Sequence, residues 1–140
     1  MTELDLKFFE AAVARDLKTV TEALDAGANV DVVNADRRTA LMRTAKRGYT
    51  EIVNLLIQRN AKTNLLDKNN KTALMGAAKN GHRDIVELLV SKDAVVNQAD
   101  YRGRTALMRA AFLGHVDIVE YLIEHKADVN VADDKGRTAL

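Results

Sequence analysis

The side chains in this sequence that could support acid–base, nucleophilic or metal chemistry are few, and their spacing assembles none of it. There are three histidines. His82 and His115 each follow a glycine, and His125 lies near the end of a helical pattern, where an imidazole complements the helix dipole in water. Ser91 is the sole serine and has no histidine in its frame. The turn Asp67-Lys68-Asn69-Asn70 superficially matches a calcium loop but lacks its spacing and closing glutamate. Cysteine is absent, so thiolate catalysis, disulfides and cysteine metal sites are excluded. No glycine-rich phosphate loop occurs. Met42, Met75 and Met108 could be imagined as soft-metal ligands, yet they recur in phase with apolar positions and read as core. The expectation is a protein that is not an enzyme, with no catalytic residue, metal site or cofactor.

What remains is electrostatic. Lys and Arg number 21 against 20 Asp and Glu, a formal net charge of +1, so placement of charge matters more than its total. Aromatic residues make up 4% of the chain, too few for a base-stacking platform. The N-terminus is acidic where a signal peptide would be basic, and no apolar run approaches the roughly 18 residues of a membrane span. A cytoplasmic protein without a membrane partner is expected, the nucleus staying open.

These residues are carried by a repeat. Thr105 to Gly114 reads Thr-Ala-Leu-Met-Arg-Ala-Ala-Phe-Leu-Gly, and the frame recurs 33 residues earlier at Thr72 to Gly81 and again at Thr39 to Gly48. It restarts at Thr138-Ala139-Leu140. A period without slip marks a repeat array. Residues 1–140 read as a single array with full units at 34–66, 67–99 and 100–132 and an incomplete one at 133–140. Each full unit opens with a polar turn and a threonine placed to cap a first helix, worth about 1 kcal/mol. Leu41, Met42 and Ala45, with their counterparts Leu74, Met75, Ala78 and Leu107, Met108, Ala111, face the core, and a glycine ends the helix. A second apolar helix follows with an acid in its first turn: Glu51, Asp84 or Asp117. Residues 1–33 lack the Thr-Ala-Leu-Met signature and carry Arg15 where later units have glycine, as expected of an N-terminal cap with a solvated outer face. Leu6, Phe8, Phe9, Ala12 and Val13 are its apolar positions.

Two short helices per 33 residues, the Asp-x-x-Gly-x-Thr turn at Asp100 to Thr105, the Gly81-His82 and Gly114-His115 pairs, and Ala127-Asp128-Val129-Asn130 together resemble the ankyrin repeat. The resemblance covers essentially the whole chain. It implies an all-α repeat solenoid, a stack of antiparallel helix pairs with β-hairpin fingers, and a structural part for His82 and His115. The chain departs from the family in having Thr-Ala-Leu-Met for Thr-Pro-Leu-His, which loses a pre-set φ and replaces a histidine network by methionine packing.

In stacking of that kind, finger tips and first helices line a concave groove. Those places hold Arg37, Arg38, Arg43, Lys46, Arg47, Lys68, Lys71, Lys79, Arg102, Arg104, Arg109, Lys135 and Arg137, against Asp36 and Asp134. Asp67, Asp100 and Asp133 also lie in the turns and are expected to be consumed by local hydrogen bonds. Phe112 and Leu113 stand where earlier units have Lys46-Arg47 and Lys79-Asn80, near Tyr101, and an apolar spot rimmed by arginine suits a protein partner. The expected function is a protein–protein interaction module for an acidic or mixed acidic and apolar partner. Nucleic-acid binding by the same face is the alternative, as is a regulatory or spacer segment of a larger ankyrin-repeat protein. Nothing in the sequence caps the face that Leu107, Phe112 and Ile118 would present. A longer array, a frayed end, or cover by another molecule, self-association included, would follow.

Gly27, Asn60, Asp93 and Lys126 occupy equivalent helix ends, and a left-handed lysine costs roughly 1 to 2 kcal/mol. Lys126→Gly is therefore expected to stabilise the array, read as a higher denaturant midpoint. A neutral or lower midpoint would mean that this helix end is not left-handed.

Overall fold

The computed structural model describes residues 1–140. Eight helices follow in four pairs: α1 (Glu3–Val13) and α2 (Leu17–Asp25), α3 (Ala40–Arg47) and α4 (Thr50–Gln58), α5 (Ala73–Lys79) and α6 (Arg83–Ser91), α7 (Ala106–Phe112) and α8 (Val116–Glu124). The odd-numbered helices pack on one another in a row, and the even-numbered ones form a second row beside them. The result is an all-α solenoid of helix pairs.

Each start and stop has a local cause. The hydroxyls of Thr39, Thr72 and Thr105 accept the backbone N–H of Met42, Met75 and Met108 at 3.2, 3.3 and 3.3 Å. Gly48, Gly81 and Gly114 then take left-handed conformations at φ 78°, 78° and 77°, turning the chain into the second helix. Arg15, at the equivalent place in the first pair, is left-handed too, at φ 61°. The second helices end on left-handed Gly27, Asn60, Asp93 and Lys126, the lysine at φ 73°.

One contiguous core runs through the stack. Leu41, Leu74 and Leu107 line up along the first helices, with Ile52, Ile85, Ile118 and Leu56, Leu89, Leu122 along the second. Met75 and Met108 are fully buried beside them, as apolar packing requires. Several expectations need correcting. Leu6 lies on the exposed side of α1, and Ala111, unlike Ala45 and Ala78, is only half-buried because no further first helix packs on α7. Leu107 and Ile118 do not present an open face either. Both are buried in the core that the last pair shares with the one before it, and the exposed apolar groups there are Phe112, Leu113, Val116 and Ile123.

The β-hairpin fingers are absent, and no strand exists anywhere in the chain. Side chains take the hydrogen bonds that a strand partner would have made. In each turn two backbone bonds close the loop: Asn34, Asp67, Asp100 and Asp133 donate N–H to the carbonyls of Arg38, Lys71, Arg104 and Arg137, and their own carbonyls accept from Arg37, Asn70, Gly103 and Gly136. The Oδ1 atom of the same Asn or Asp then accepts the N–H groups two and four residues on. Neighbouring turns share a single backbone bond each: Lys68 N–H to Asp36, Tyr101 to Asn69, Asp134 to Arg102. One bond per junction makes no ladder.

Between pairs, imidazoles act as bolts. His82 Nε2 lies 3.0 Å from the Lys46 carbonyl and His115 Nε2 2.8 Å from that of Lys79. The His82 ring covers Gly48 so closely that a Cβ there would sit 2.5 Å from it, whereas Gly114 has nothing within 4 Å. Both glycines carry the same left-handed strain. Gly114→Ala is therefore expected to lose about 1 kcal/mol, and Gly48→Ala clearly more, in paired urea unfolding. Equal losses would show that the imidazole contact contributes nothing.

Candidate functional site

The turns and first helices place most of the expected residues on one side of the stack. Arg43, Lys46 and Arg47 project from α3, Lys79 from α5, and Arg38, Lys68, Lys71, Arg102 and Arg104 from the turns. Four of the basic residues on this side are neutralised. Arg38 pairs with Asp67 at 3.4 Å, Lys68 with Asp36 at 2.7 Å, Arg137 with Asp133 at 2.9 Å, and Arg109 with Asp100. Arg43, Lys46, Arg47, Lys71 and Lys79 enter no ion pair.

The turn carboxylates thus do two things. Their Oδ1 atoms hold the loop backbone, as expected, and their Oδ2 atoms bind arginine. For Asp133, burial pushes the carboxyl up, but the N–H groups of Arg137 and Lys135 and the Arg137 guanidinium outweigh it, leaving the pKa below the usual value. The Lys68 ammonium holds Asp36 down in the same way.

Arg109 was placed by its spacing among the groove residues, and the structure puts it at 7% exposure, locked to buried Asp100. Its Nε–H has no acceptor. It still borders a cavity of about 460 Å³ between α3 and α5, whose walls carry Arg38, Arg43, Lys46, Arg47, Lys71 and Lys79 with Asp67 as the sole acid. Met42 and Met75 supply its apolar part, and Tyr49, Thr72, Gly76 and Asn80 complete it. Sequence reasoning missed these last four, although positions 43, 76 and 109 offered the signal: Arg, Gly, Arg at one place in three successive units. Partial desolvation, then the charges of Lys79, Arg38, Arg43 and Arg47, holds the Lys46 ammonium below the usual lysine value. Lys71 is lowered likewise, by burial first and Arg109 second.

A second feature lies toward the last pair. Tyr101 is 60% exposed and Leu113 55%, with Phe112, Val116 and Leu140 also open to solvent. The Arg102 guanidinium lies 5.3 Å from the Tyr101 ring centroid and that of Arg137 5.0 Å from the Phe112 ring. Tyr101 and Phe112 make no ring–ring contact. The three histidines form no catalytic or ligand set. Two are the bolts described above, and His125 stacks on Tyr121 at 4.1 Å with its Nδ1 against the Tyr121 carbonyl.

Compared with family models, residues 8–100 match ankyrin repeats in three copies, and residues 102–134 match a further ankyrin repeat. The chain belongs to the ankyrin-repeat family. No curated protein matches it. Membership accounts for the helix-pair solenoid and makes the array a non-enzymatic scaffold whose exposed apolar residues suit protein binding. No helix of this ankyrin array is long and apolar enough to cross a membrane.

The buried Arg109–Asp100 pair is specific to the last full repeat. Removing one partner of a buried pair strands the other charge, so Asp100→Ala is expected to lose about 3 to 5 kcal/mol in chemical unfolding. Asp67→Ala, whose arginine is one-third exposed, is expected to lose less.

Proposed function

We propose that this ankyrin array is a protein-interaction module that takes an acidic, partly apolar segment along the side built by the first helices and turns. The observation that carries the reading is the coexistence on that side of unpaired cations with solvent-exposed Tyr101, Phe112 and Leu113. Charge steers the encounter and selects against basic partners. The aromatic and leucine side chains supply the apolar area where binding energy concentrates. Arg102 and Arg104 form the rim, Arg43, Lys46, Arg47, Lys71 and Lys79 extend the basic track, and Arg38, Lys68 and Arg137 lie along it paired to turn carboxylates. Arg109 contributes by holding the turn at Asp100. The four pairs act as one array, with residues 1–33 as its cap, inside the cell.

A second reading has its own support. Leu113, Val116 and Ile123 are exposed around the last pair, a composition that suits contact with a second copy. Sedimentation at rising concentration tests it, since a strict monomer removes it.

For the main reading, Phe112→Ala and Arg104→Ala are each expected to weaken partner capture severalfold while the thermal unfolding midpoint stays within a few degrees. A partner footprint confined to the even-numbered helices would overturn it.

A further inference from the structure

We infer that the cavity between α3 and α5 is a binding site for a compact polyphosphate anion, gripped by Arg43, Lys46, Lys71 and Lys79 in the space that Gly76 leaves open. The inference rests on the basic side being the binding side, and it adds the chemistry of one ligand.

Gly76 starts the argument. It lies inside α5 at a helical φ, where glycine is about 1 kcal/mol worse than alanine. The equivalent positions carry Arg43 and Arg109. A Cβ at Gly76 would stand 3.1 Å from Lys46 Cβ, so its lack of a side chain lets α3 approach and clears the floor between two flanking arginines. The resulting cavity, about 460 Å³, falls in the range of small-molecule sites.

Its electrostatics specify the occupant. Five cations that surround it, Arg43, Lys46, Arg47, Lys71 and Lys79, form no ion pair, and Asp67 is the one acid in the lining. Like charges so placed repel, which adds to the burial that chiefly lowers the affinity of Lys46 and Lys71 for their protons. Buried Arg109 adds an Nε–H that lacks an acceptor at the same wall. A carboxylate would bring one charge and two oxygens. A phosphate brings roughly 1.5 to 2 charges and three acceptor oxygens, so linked phosphates match five cations in one small volume as carboxylates do not.

The test is calorimetric titration of the full chain with tripolyphosphate at about 0.15 M ionic strength, where non-specific surface attraction is screened. One saturable site is expected. Lys46→Met and Lys71→Met are each expected to weaken it about tenfold, one lost charge-assisted contact, while Lys92→Met, on the second-helix side, leaves it unchanged. Both cavity variants are expected to unfold at about the temperature of the parent, because each removes a partly desolvated charge that repels its basic neighbours. A peptide with two adjacent phosphoserines forms the second arm. Competition between it and tripolyphosphate for the site assigns the phosphates to a partner chain, and binding of tripolyphosphate alone assigns them to a free small molecule. Absence of saturable heat, or an equal loss in Lys92→Met, overturns the proposal. Partner capture that still depends on Phe112 would then leave the protein-binding reading standing.

Discussion

None of the eight helices exceeds 11 residues, and those facing the cavity have seven or eight. Helices of that length do not persist in water by themselves. Their order derives from burial against the neighbouring pair, through the Leu, Ile and Met positions that repeat every 33 residues. Everything else depends on that stacking. The turns project where they do because the helices beneath them are in register, and the cations converge because α3, α5 and the turn before α5 present them side by side. Function in such a scaffold is written on positions that stacking leaves free.

The turns show how local chemistry can substitute for secondary structure. An aspartate or asparagine at the head of each turn holds two N–H groups with one oxygen, and in the last three turns the other oxygen secures an arginine. This arrangement keeps a finger-like loop rigid without any strand. It also removes part of the basic surface from solvent, which concentrates the unpaired cations around the cavity rather than along the whole side.

Most of the scaffold was legible in the sequence because each signal is short-range. Threonine caps, left-handed glycines, and the strained Lys126 follow from residue type and phase alone. The Leu107 and Ile118 side chains depart from expectation because the packing of α7 on α5 and of α8 on α6 already covers them. The hairpins were misjudged since the family pattern implies a shape, while the hydrogen-bond partner is decided by the turn carboxylate. Arg109 shares its place in the repeat with exposed-looking Arg43, and only the nearness of the Asp100 carboxylate, nine positions away in sequence, draws it inward. The cavity was legible in principle from Gly76, but its meaning needs the third dimension, where α3 closes on α5.

The glycine–imidazole junctions bear on how such an array can grow. His82 occupies the space over Gly48, and His115 that over Gly81. At the first junction the same two places hold Arg15 and Tyr49, with the guanidinium 4.9 Å from the ring centroid. Each unit therefore presents a socket to its successor and a plug to its predecessor, and the sets differ. A unit copied behind Gly48 or Gly81 fits there with a histidine, while one copied behind Arg15 needs a ring that tolerates a cation. Duplication of internal units extends the stack without new fitting, whereas recombination that moves the first unit inward creates a mismatched joint. Expansion of this array is thus easier between the middle units than across its first junction.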